Sequence, residues 1–137
     1  MAEDRKSSGA EPAAAEVHPL ARQAQAKLAG AEVLIAQTQA GAAAGVTLGG
    51  PALDLLVGAL LCAAALLTGR AQPPAPREAA IWLYGEALPT SAIDPADAAV
   101  VMRAIALAQA ADAVPAAMLH ELAADTGQFV RRVVGRA

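Results

Sequence analysis

Aromatic side chains are almost missing from this chain: Trp82, Tyr84 and Phe129 are the whole set. A core without aromatic bulk has to be filled by aliphatic groups packed at close spacing. Cysteine is scarcer still. Cys62 stands alone, which excludes a disulfide framework, and its place inside an apolar run predicts a buried, inert thiol. β-Branched residues are few and never alternate with polar ones, so no strand is expected. Positive charge is in deficit, 10 Lys and Arg against 13 Asp and Glu, for a formal charge of −3. That balance argues against a protein that coats nucleic acid by bulk charge and leaves only a local basic patch. Residues 1–16 lack the apolar core and cleavage pattern of a secretory signal, so a cytoplasmic location is expected.

What the chain does have is alanine, about half of its 56% hydrophobic fraction. Alanine loses no side-chain entropy in a helix and lets helices approach closely. The expectation is an all-α fold: a single small bundle of about five helices around a central apolar one. The alanine content, with arginine preferred over lysine, resembles the usage of bacterial chains from GC-rich genomes.

The central stretch is 51–68, PALDLLVGALLCAAALLT, with Asp54 its one charge. A helix this apolar on every side belongs inside protein or inside lipid. Gly50 and Pro51 suit its start, and Asp54 falls where the positive end of the dipole favours a carboxylate. Asp54, Gly58, Cys62 and Ala65 form a stripe of smaller residues along which another helix can approach. Leu53, Val57, Leu60, Ala64 and Leu67 line a bulkier side. Gly69 ends the helix.

Around this element the chain reads in order. Residues 1–16 have nothing to bury and form a disordered tail before a helical domain over 17–137. A first amphipathic helix is predicted over 19–44, with Leu20, Ala24, Ala31, Leu34, Ile35, Thr38 and Ala42 on one face and Gln25, Glu32 and Gln39 on another. Gly45, Gly49 and Gly50 then make a turn; the stretch has no lysine or hydroxyl in P-loop position. Prolines stiffen 69–77 into a linker between two helical halves. A third helix over 78–88 places Ile81, Tyr84 and Leu88 on one side and Trp82 on another, where the tryptophan either covers the bundle end or anchors an interface. Asp94 as N-cap, Pro95 as first residue and Asp97 in the first turn open a fourth helix to about 113. Its Val100, Val101, Ile105 and Leu107 predict burial, limited by Arg103, Gln109 and Asp112. The last helix, 115–134, has Met118, Leu119, Leu122, Thr126, Phe129, Val130 and Val133 on one half. His120, Glu121, Asp125, Gln128, Arg131 and Arg132 occupy the other half, the arginines complementing the dipole.

The residues point to little chemistry. His120-Glu121 begins like HExxH, but Ala124 stands where the second histidine belongs. His18 has no companion ligand at metal spacing. No catalytic, cofactor-binding or metal site is expected, and an enzyme is disfavoured. Over 121–134, Ala123, Gly127 and Val133 occupy the small, turn and packing positions of a helix-turn-helix reader, with Gln128 in an apolar slot. The unbroken helical phase through Gly127 favours one helix. The expected function is a non-enzymatic interaction or assembly module, homodimeric or bound to a protein partner. Trp82, Tyr84, Arg131 and Arg132 are its candidate interface residues. The alternatives are a membrane-associated protein anchored through 51–68 and a DNA-binding protein using 115–137.

Overall fold

A computed structural model describes residues 18–41, 49–110 and 114–136. The expected tail over 1–16, the end of the first helix beyond 41, Gly45 and Asp112 lie outside them. The described residues form an all-α bundle: α1 (Pro19–Gly41), α2 (Gly49–Thr68), α3 (Pro76–Trp82, prolonged by a π-helical turn Leu83–Ala87), α4 (Pro95–Gln109) and α5 (Ala116–Arg136). The apolar α2 is the central element, packed by α1, α4 and α5, with α3 touching it at one end.

α2 starts at Gly49, two residues ahead of the expected boundary. Pro51 still lies in the first turn, where the N–H it lacks would be unpaired anyway. Asp54 is therefore a turn deeper than a dipole-capping carboxylate, and it is exposed. Leu53, Leu56 and Leu60 are fully buried, and so are Ala52, Ala59, Ala63, Ala64 and Ala65. At 20 residues the helix is about 30 Å long and apolar enough to cross a bilayer, yet 61% of its most apolar window is buried in the bundle. Its end is a Schellman turn. Gly69 takes φ 79, its N–H bonds to the Leu66 carbonyl at 3.3 Å, and the Arg70 N–H bonds to Ala65 at 2.8 Å.

α1 lies antiparallel to α2. Gly30 faces Leu55, Lys27 faces Gly58 and Gln23 faces Cys62, so the register rises on one helix as it falls on the other. Leu20, Ala24, Ala31 and Ile35 are buried on α1, as their spacing predicts; Leu28 joins them, and Leu34 is half-buried. His18 is the cap: its Nδ1 accepts the Leu20 N–H at 3.0 Å.

α3 begins at Pro76 rather than 78, since proline fits the first helical position. Its orientation reverses the expected grouping. Trp82 is only 6% exposed and packs inward with Ala79, Leu83 and Ala87, while Ile81 and Tyr84 are 78% and 56% exposed. The π turn, closed by the Leu88 N–H on the Leu83 carbonyl at 2.8 Å, keeps Leu83, Ala87 and the half-buried Leu88 on the core side. Ser91, at φ 59, ends this segment in the left-handed conformation that glycine holds after α2.

α4 ends at Gln109, short of 113. Asp94 occupies the N-cap position without a side-chain cap bond. Asp97 is buried, and it is held by the Arg132 guanidinium through two bonds of 2.8 and 3.2 Å. Neither residue is simply a dipole-facing surface charge, as their helix positions suggest. A second pair, Arg103–Asp125, joins the same two helices and shows that α4 and α5 run antiparallel. α5 is continuous through Gly127, so the turn that a helix-turn-helix reader requires is not formed. Leu119, Leu122, Thr126, Phe129, Val130 and Val133 are buried, but Met118, in the first turn, is 39% exposed. The Thr126 hydroxyl is buried without a hydrogen-bond partner among the described residues.

The two neighbouring arginines of α5 should therefore behave differently on substitution. The Asp97 carboxylate is 11% exposed and the Arg132 side chain 48%. Because the arginine is half in solvent, Arg132→Ala is expected to cost about 1–2 kcal/mol rather than the full value of a buried pair. Arg131→Ala is expected to stay within about 0.5 kcal/mol. Urea denaturation of the two variants checks the contrast; equal midpoints would contradict it.

Candidate functional site

The small-residue stripe of α2 is where the structure opens. Asp54, Gly58 and Cys62 stand one turn apart on the face toward Gln23 and Lys27, which are themselves one turn apart on α1. Val57 and Leu61 lie beside the stripe. Pro73 and Pro74 of the segment before α3, with Pro76 at the start of α3, wall one side, and Ile105, Ala108 and Gln109 at the end of α4 form another. Together they enclose a groove of about 540 Å³. That is within the range of small-molecule sites, which combine apolar walls with a few placed polar groups.

The polar members differ in what they can do. The Cys62 thiol is 1% exposed and donates to the Gln23 Oε1 at 3.6 Å. Burial pushes its pKa up from the ordinary value, and the Lys27 charge offsets only part of that. At neutral pH it is a protonated thiol, a poor nucleophile and a poor metal ligand. Lys27 is half-buried, and its stem crosses α2 over Gly58, where an added Cβ would sit 2.9 Å from Lys27 Cδ. Among the described residues, neither Lys27 nor Asp54 is in an ion pair.

The interface candidates from the sequence do not converge. Trp82 is core, with the Arg70 guanidinium 5.2 Å from its ring centre. Tyr84 stands exposed on α3. Arg131 folds back over Gly127, its guanidinium 2.9 Å from where a Cβ would be, and lines a smaller cavity of about 290 Å³ with Glu32 and His120. Arg132 is engaged with Asp97 and lies 5.8 Å from the Phe129 ring centre. Among the described residues, no three His, Cys, Asp or Glu side chains are grouped as a metal would need. Sequence reasoning identified the stripe as a line of close approach but did not single out Lys27. The available signal was Gly58, a glycine inside an otherwise uninterrupted helical run.

No protein-family model matches the chain, and no curated protein or solved structure matches it either.

The state of Cys62 is open to direct measurement. With its pKa raised in the fold, the thiol stays protonated above the pH at which an unfolded cysteine ionises. Any stability that it contributes by staying protonated falls as pH rises past the unfolded value. At pH 8 its reaction with an aromatic disulfide reagent is expected to be at least about tenfold slower in the folded chain than in urea. Equal rates would contradict the burial.

Proposed function

We propose that the chain is a non-enzymatic interaction module whose working surface is the groove between α1, α2, α4 and the proline segment. The observation that carries this reading is the groove itself: an apolar cavity of about 540 Å³ whose polar side holds a cation and a carboxylate that are in no ion pair among the described residues. Its thiol is protonated and donates to an amide, which supports binding over thiol catalysis. The burial of α2 supports a soluble molecule over one anchored in lipid. Nile red, an uncharged apolar dye, is expected to bind at a 1:1 ratio. Ala108→Trp, which fills the groove from its half-buried rim, should abolish binding while circular dichroism stays unchanged. Dye binding that survives in this variant would place the working surface elsewhere.

A second reading is favoured by α3. Ile81 and Tyr84 are large, exposed and on one side of a helix, with Arg77 near one end and Glu86 near the other. A second copy laid antiparallel on this face would set each cation against an anion and cover both apolar side chains, an isologous contact. Sedimentation equilibrium is then expected to show a dimer at micromolar concentration that Ile81→Glu converts to monomer. A monomer across that range in the wild type would remove the self-association reading.

A further inference from the structure

The charges bordering the groove are not equivalent. Asp54 is exposed, so water screens the charge that it presents. Lys27 is half-buried, with its aliphatic stem laid on bare α2 backbone at Gly58 and its Nζ 3.4 Å from the position a Cβ would take. A glycine inside a helix is unfavourable, and here it makes room for that stem. The ammonium is thus positioned beside apolar walls, with no carboxylate paired to it among the described residues. A cation held this way interacts strongly with an anion that arrives with its own apolar surface, since binding excludes the competing water.

Taking the groove as the working surface, we propose that its occupant is a small apolar monocarboxylate, with the carboxylate on the Lys27 ammonium and the hydrocarbon along Val57, Leu61 and Ile105. A single lysine is a point charge without the fork that arginine offers to a phosphate, so one carboxylate matches it. The C-terminal end of α4, at Ala108 and Gln109, also borders the groove. The negative end of its dipole disfavours an anion there, which sets the direction in which the ligand lies. The uncharged tail then runs toward α4 and the prolines.

Calorimetry on the full chain with octanoate, 1-octanol and octylammonium tests the assignment. Octanoate is expected to bind at least about tenfold more tightly than 1-octanol, the worth of one charge-assisted bond. Lys27→Met should erase that preference. Gly58→Ala should weaken octanoate by displacing the lysine stem, without lowering the melting temperature, because alanine is the better helix former. Asp54→Asn should tighten octanoate, since it removes a like charge. Equal binding of octanoate and 1-octanol by the wild type would overturn the carboxylate while leaving the groove reading intact. Tighter octylammonium would overturn it in favour of a cation at Asp54, and weaker octanoate in Asp54→Asn would overturn the placement of the carboxylate on Lys27. A leucine-rich peptide with a free C-terminus that outcompetes octanoate would overturn the small-molecule source. No binding by any probe would remove both the groove reading and this one.

Discussion

Everything in this bundle follows from the need to hide α2. Twelve of its residues are buried, and they lie around most of the helix rather than along one stripe. Each leucine taken fully out of water contributes about 1.5–3 kcal/mol, so no arrangement that left this helix at the surface would compete. α1 covers one side in antiparallel register, α5 and α4 cover others, and the contacts are close because so many of the buried groups are methyls. Gly30 shows how close: a Cβ there would come within 3.2 Å of Leu55.

Close packing of small residues has a second consequence. Alanine brings backbones together but reaches nowhere, and only one of the three aromatics, Phe129, lies fully inside the central core. Between α1, α2 and α4 the small side chains of Gly58, Cys62 and Ala108 leave space unfilled. The segment after α2 could have closed it. Its prolines instead hold it extended, with Arg70 tied to the Gln72 carbonyl at 3.1 Å and stacked toward Trp82. The groove is what remains between close-packed helices and a stiff connector.

The parts of this architecture that were legible from sequence are those governed by local periodicity. The apolar run 51–68 announced a buried helix, and the phase of Leu119, Leu122, Phe129, Val130 and Val133 announced the core face of α5 and its continuity through Gly127. Residues whose roles depend on distant partners were misread. Asp97 has the position and chemistry of a first-turn carboxylate, and nothing nearby in the chain reveals an arginine 35 residues away. Ile81 and Tyr84 looked equivalent to Leu88 on an ideal wheel. The π turn changes the pitch after Trp82, so the wheel stops applying there. Lys27 escaped notice for the same kind of reason. A lysine on an amphipathic helix is ordinary, and only the bare backbone of Gly58 opposite makes its place specific.

The groove also depends on how firmly α4 is held, because α4 supplies one of its walls. Apart from Asp97 its buried residues, Ala98, Val101, Ala104 and Ile105, are apolar, and apolar contacts of small groups tolerate sliding. The two ion pairs to α5 set its position along the axis. Arg103–Asp125 is exposed on both partners, at 41% and 37%, and counts for little in salt. Asp97–Arg132 differs: the carboxylate is nearly enclosed, both its oxygens are bonded, and the bond raises the arginine's hold on its proton further. Bidentate geometry resists displacement along the helix as well as away from it. The pair that fixes the register of α4 therefore lies on the side facing α5, leaving the α4 residues at the groove, Ile105, Ala108 and Gln109, free of any structural ion pair.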